Sequence, residues 1–209
     1  MREISPPKRG GARERILELA EAATLEKGFG ATSIEELIAG AGISKSGFFH
    51  HFRDKNALAK ALIERYVAND KLILEGLFAR GDELSEDPLQ SFLIGLKLFA
   101  EMLADLPEAH PGCLAASFVY QEQLFDAEVR ALSRESFLRW RARFAKRFDA
   151  IAAKYPPRVP IDLAALADMA AALIDGGITL GKSLKDPKIL PAQVLHFRNY
   201  VRLLFDPAV

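Results

Sequence analysis

Residues 32–55 read TSIEELIAGAGISKSGFFHHFRDK, and the reading of this stretch decides the fold. Ser33 followed by Glu36 is the S-x-x-E pattern of a capping box, and Ile34, Leu37, Ile38 and Ala41 form one apolar stripe behind it. Gly42 breaks the stripe. Ser44 is placed to cap a second short helix, and Asp54 to cap a third, longer one. Helices of about two turns are marginal alone in water, so packing must hold the first two in place. Two such helices joined by a Gly-containing turn form a helix-turn-helix pattern, whose second helix enters the DNA major groove.

The second helix sorts its residues by face. Phe48 and Phe52 lie four apart and pack inward with Ile43, while Ser46 and His50 share the opposite face and Gly47 and His51 a third row. Lys45, Ser46 and Gly47 occupy the first turn, where backbone N–H groups are free and the helix dipole favours phosphate. Lys55 opens the next helix and is placed to hold a second phosphate. The adjacent histidines invite a metal or acid–base reading. Successive helix residues point about 100° apart, however, and do not readily share one ion. His110, His196 and Cys113 are distant in sequence, and no nucleophile–base or carboxylate-rich group stands near. No metal, cofactor or catalytic residue is therefore expected. The plainer reading of the same residues is a structural helix-turn with no ligand.

Lys plus Arg and Asp plus Glu both total 28, so bulk charge argues for neither a nucleic acid nor a membrane partner. Any basic surface must come from arrangement. The N-terminal MREISPPKRGG, with Arg2, Lys8 and Arg9, reads as a flexible basic tail over residues 1–11, either solvated or reaching into a minor groove. It has no apolar signal segment, Cys113 is the only cysteine, and no apolar run reaches the roughly 18 residues that span a bilayer. A soluble, cytoplasmic protein with no membrane partner is the expectation, with Cys113 a small buried filler.

Helical periodicity starts at Ala12 and stops at Gly28 and Gly30. After the two short helices, a long one runs from Lys55 to near Gly81. A helix starting at Pro88 is apolar nearly all round, as expected of one surrounded by protein. Further helices are expected over about 114–124, 126–155, 162–184 and 191–205, separated by segments rich in Pro and Gly. Arg130, Arg134, Arg139, Arg141, Arg143, Lys146 and Arg147 give the seventh a basic, solvated face. No period-2 strand pattern appears, so the class is all-α with about nine helices.

The run GATSIEELIAGAGISKSGFFHHFRDKNAL, residues 30–58, resembles the DNA-binding domain of the TetR family of transcriptional repressors. Ala41, Gly42, Ile43, Ser44, Lys45, Phe49, His50, His51, Phe52 and Lys55 match the family pattern in order. The resemblance implies a helix-turn-helix domain over residues 12–58, with Ser33, Ser44, Lys45, Ser46, Gly47, Phe49, His50, His51 and Lys55 facing double-stranded DNA. It also implies a variable helical ligand and dimer domain over 59–209. Where the family usually has Gly-Thr this chain has Ser46-Gly47, and where it has Tyr this chain has Phe49, which lacks the hydroxyl that reaches a phosphate.

Gaps between bundle helices are common ligand sites, and the larger domain is rich in aromatics. Leu96, Phe99, Leu103, Phe118, Gln121 and Trp140 are the expected lining of a pocket for a largely apolar small molecule, with Asp175 as a polar contact for a cationic or hydroxylated ligand. The same aromatics serve equally as core. On the eighth helix Leu163, Ala167, Ala170, Ile174, Gly177 and Gly181 fall near one line, and Val194, Phe197, Val201 and Leu204 stripe the ninth. These are the expected homodimer interface, a four-helix bundle of two helices from each subunit, unless the stripe packs within the monomer. The resulting expectation is a regulator, chiefly a repressor, that a small molecule releases from a palindromic operator. A small-molecule or lipid carrier of the same fold without DNA binding is the alternative, which salt-dependent promoter binding separates. A helical enzyme is a third class, for which no catalytic grouping is visible.

Overall fold

The computed structural model describes residues 11–206 and Ala208; the basic tail expected over residues 1–11 lies outside them apart from Gly11. The described residues form nine α-helices and no strand. These are α1 (Ala12–Lys27), α2 (Ile34–Ala41), α3 (Lys45–His51), α4 (Lys55–Leu84), α5 (Pro88–Ala104), α6 (Leu114–Val119), α7 (Ala127–Lys154), α8 (Leu163–Leu184) and α9 (Ile189–Phe205). One 3-10 turn, Glu122–Leu124, follows α6.

Short polar side chains set most helix starts. Ser33 accepts from the Glu36 amide, Ser44 from Gly47 and Asp54 from Ala57. Asp87, Asp126 and Asp162 do the same for α5, α7 and α8. Gly42 ends α2 in the left-handed region, at φ 63°, as a turn of only two residues before the next cap requires.

Three boundaries depart from expectation for physical reasons. α4 runs through Gly81 to Leu84, because Gly81 marks a close approach and not a stop: a Cβ there would sit 2.5 Å from the Ser91 carbonyl oxygen of α5. The helix expected over 114–124 stops at Val119, and the chain turns through Gln121 into the 3-10 turn. α9 begins at Ile189 with Pro191 inside its first turn, where the missing N–H costs nothing.

Two hydrophobic clusters result. One joins α5 and α9 with parts of α4, α7 and α8, around stacked and edge-on rings of Phe78, Phe92, Phe144 and Phe148. The other closes the helix-turn-helix end. It extends past residue 58 through Ile63, and takes in Leu114, Ala115 and Phe118 of α6, Phe125, and Val129 of α7. α6 is thus a small piece of both halves.

α8 is long and apolar enough, by length and composition, to cross a membrane, with a mean hydropathy of 1.6 over its best window, contrary to the expectation that no segment is. It packs here along α7 and α9, and its Asp168 takes both guanidinium arms of Arg141 at 2.6 and 2.7 Å.

Candidate DNA interface and cavity

α3 is held by its inner face. Phe48 and Phe52 are buried with ring centroids 5.7 Å apart, and the Arg13 guanidinium lies 5.4 Å from the Phe52 ring. That seating leaves Lys45, Ser46, Phe49 and His50 exposed together, with Gly47 and His51 half-buried. Phe49 is 43 % exposed while its edge meets Phe48 at 5.5 Å, so one aromatic anchors the helix and its neighbour faces outward. The two histidine rings touch edge to face, 5.2 Å apart.

The remaining expected contacts are placed differently. The hydroxyls of Ser33 and Ser44 are occupied as caps, and Ser44 also bonds the Ser46 hydroxyl at 2.9 Å. Lys55 donates to the Gly30 carbonyl at 3.3 Å and sits 4.8 Å from the Phe29 ring, and burial lowers its pKa. It closes the loop before α2, and its ammonium is partly committed within the fold.

Between α4, α6, α7 and α8 lies a cavity of about 70 Å³. Val67, Phe137, Trp140, Ala171, Ile174 and Ile178 supply apolar wall, and Tyr66, Asp70, Cys113, Arg143 and Asp175 the polar groups. At one end Asp70 accepts from the Trp140 indole at 2.7 Å and lies 3.7 Å from Arg143. Burial pushes the Asp70 carboxyl up, against the opposing pull of Trp140 and Arg143. At the other end the Tyr66 hydroxyl donates to the Cys113 sulfur at 3.4 Å. Burial raises Tyr66 strongly and pushes the Cys113 thiol up to about 11, so it is protonated at neutral pH. Cys113 is not a mere filler, since its sulfur also caps α6 by accepting from the Ala116 amide at 3.4 Å. Burial raises Asp175 as well, with the Cys113 thiol as the opposing partner.

Of the expected pocket, Trp140 and Asp175 line this cavity. Leu96, Phe99 and Leu103 do not; α5 is enclosed by other helices and buries all three in the core. Phe118 is buried at the helix-turn-helix end, where it stacks on Phe125 at 4.3 Å. Gln121 leaves the bundle and bonds Gly30. Arg143, expected on the solvated basic face of α7, is instead largely buried and lines the cavity, and Tyr66 and Asp70 line it with no sequence expectation; the visible signal is an acid, Asp70, four residues after an aromatic on the long helix.

The expected dimer stripe needs a correction. Ala167, Ala170, Gly177, Gly181, Val194, Phe197, Val201 and Leu204 are buried inside the monomer, Leu163 packs partly buried on the same core, and Ile174 lines the cavity. The small residues let α9 approach α8: a Cβ on Gly177 would lie 2.8 Å from the Leu190 side chain. The opposite faces stay uncovered, with Met169, Ala172, Gly176, Leu180 and Leu184 exposed on α8 and Leu195 and Leu203 on α9.

The family model described as bacterial regulatory proteins, tetR family, matches residues 16–62. The uncharacterized HTH-type transcriptional regulator YxaF of Bacillus subtilis is 25 % identical over 187 residues, covering 88 % of this chain and 93 % of that one. The HTH-type transcriptional repressor NemR of Escherichia coli K12 is 31 % identical over 80 residues, 38 % of this chain and 40 % of NemR. A TetR-family transcriptional regulator from Agrobacterium tumefaciens shares the fold, with a TM-score of 0.74 at 19 % identity, over 93 % of this chain and 97 % of that one.

Proposed function

Because the chain belongs to the tetR family of bacterial regulatory proteins and is a DNA-binding transcriptional regulator, we propose that it is a cytoplasmic homodimeric repressor released from a palindromic operator by a small molecule. The observation that carries the DNA assignment is the split of α3. Phe48 and Phe52 lock one face, and Lys45, Ser46, Phe49 and His50 stand exposed on the rest. Residues 12–58 act as the reading unit and residues 59–209 as the ligand and dimer unit. The uncovered apolar faces of α8 and α9 are the dimer surface, pairing two helices from each subunit so that two copies of α3 meet successive major grooves.

The cavity is the effector site in this reading. At about 70 Å³ it is under half the ~150 Å³ that holds a benzene, so a ligand with a ring-sized body must push a wall outward. α6 is the shortest wall element. Its cap Cys113 and its Ala115 border the cavity, while Leu114 and Phe118 sit in the helix-turn-helix core, with Phe118 5.6 Å from Phe29. A shift of α6 therefore moves the seat of the reading unit, and the ligand favours the state whose α3 helices are wrongly spaced.

The test is a titration of the protein against a labelled fragment of its own promoter at several salt concentrations. The expected result is nanomolar-range binding that weakens as salt rises, as phosphate contacts require. Salt-independent or undetectable binding would favour the carrier that has lost DNA recognition.

A further inference from the structure

We propose that the effector is a small organic amine, a protonated nitrogen on an apolar, ring-sized body, held by Asp175 against the aromatic wall of Trp140 and Phe137. The inference rests on the reading of this cavity as the effector site. Three cations border the cavity, and each has an acid of its own. Arg143 lies 3.7 Å from Asp70, an ion pair in which its buried Nη1 makes no hydrogen bond among the described residues, Arg139 bonds Glu135 at 3.2 Å, and Lys71 lies 3.9 Å from Glu75. Asp70 is further engaged by the Trp140 indole. Of the two acids that line the cavity, Asp70 has Arg143 beside it, and Asp175 has no basic partner among the described residues. The Cys113 thiol is its hydrogen-bonding neighbour, with the Tyr66 hydroxyl, which also bonds that sulfur, close by.

A half-buried carboxyl group without a cation is costly, and the cost is relieved by a positive ligand. The walls around it favour such a ligand, since Trp140, Phe137 and Ile174 offer apolar surface to its body and Tyr66, at the Cys113 end, an aromatic ring beside the charge. A carboxylate ligand would meet Asp175 as a like charge, and a neutral alcohol would gain one hydrogen bond without the ion pair.

Trp140 is the only tryptophan in the chain, so its fluorescence reports on this cavity directly. The probes are 2-phenylethylamine, 2-phenylethanol and phenylacetate, which share one ring and differ in the terminal group. The amine should shift Trp140 emission and bind about tenfold or more tighter than either of the others, as a charge-assisted pair requires. In Asp175→Asn this preference should shrink to within about threefold, with thermal unfolding run beside it to check the fold. Should that variant fail to fold, the ranking of the three probes on the natural protein decides alone. Equal or tighter binding of the alcohol or phenylacetate overturns the amine assignment and leaves the cavity an effector site. No response to any probe also overturns it. The promoter titration of the ligand-free protein is separate, and tells whether the regulator reading stands in either case.

Discussion

The Gln121 side-chain oxygen accepts a hydrogen bond from the Gly30 backbone amide at 3.0 Å, tying the segment after α6 to the loop that seats α2. Gly28, at φ 88°, leaves the room this contact needs, since a Cβ there would collide with the Gln121 amide. Leu124 closes over Gly30 from the same turn. Gln121→Ala should cost about 1 kcal/mol of stability, the ordinary worth of one such bond. Its larger effect should be on coupling. Ligand binding, read from Trp140 emission, should be unchanged, while the ligand-induced loss of DNA affinity should fall several-fold. An unaltered release would show that the signal travels by α4 alone.

Phe49 occupies an exposed position on α3 where the family pattern carries a tyrosine. Phe49→Tyr adds a hydroxyl to a ring that already faces outward, so the fold should be indifferent. Operator affinity should rise about threefold to tenfold, the value of one added hydrogen bond to phosphate. Lys45→Ala should act the other way, weakening binding to all sequences alike and lowering the salt slope by about one. Anisotropy titrations at four salt concentrations measure both. A Lys45→Ala slope equal to that of the natural protein would remove Lys45 from the phosphate contacts.

Assembly and packing separate on α8 and α9. Leu180 and Leu203 are 51 % and 53 % exposed, on the faces the monomer leaves uncovered. Leu180→Asp with Leu203→Asp should give a folded monomer by analytical ultracentrifugation, with helical circular dichroism retained and operator affinity lost. Phe197→Ala lies on the inner stripe, and should instead cost about 3–5 kcal/mol in unfolding, since it empties a buried aromatic site. A dimer that survived both aspartates would place the subunit contact elsewhere.

The difference between these two faces explains what could and could not be read from the chain. The caps Ser33, Ser44 and Asp54 and the break at Gly42 are local signals, and each acts on the residues beside it. The inner and outer residues of α3 separate because one face is aromatic and the other polar. α8 offers no such contrast: Ala, Gly, Leu and Ile run around its whole circumference, so periodicity cannot say which face meets α9. The cavity is harder still. Its walls come from four helices, and the aromatics of α5 that look like lining are enclosed by neighbours invisible in local sequence. Isolated acids in apolar surroundings were the better guide, as Asp175 shows.

Asp87 supplies the last prediction, on pH. It caps α5 by accepting from the Gln90 amide at 2.8 Å, and also receives the Lys154 ammonium at 2.8 Å and the Tyr155 hydroxyl at 2.6 Å. Burial pushes its carboxyl up, but Lys154, Tyr155 and the Gln90 amide together outweigh that and hold it at about 2. The folded value lies below the unfolded one of about 3.9, so the ionised form is the stabilising one. This contribution is complete above about pH 4 and is lost as pH falls towards 2. Lys154 is exposed though Asp87 is half-buried, so screening limits the contribution to roughly 1 kcal/mol. Asp87→Asn keeps a capping side chain and removes the charge. Urea unfolding should therefore show the variant less stable by about that amount at pH 6, with the gap closing as pH approaches 2. A deficit of the same size at both pH values would assign the loss to geometry at the start of α5, and not to the charge that joins it to the end of α7.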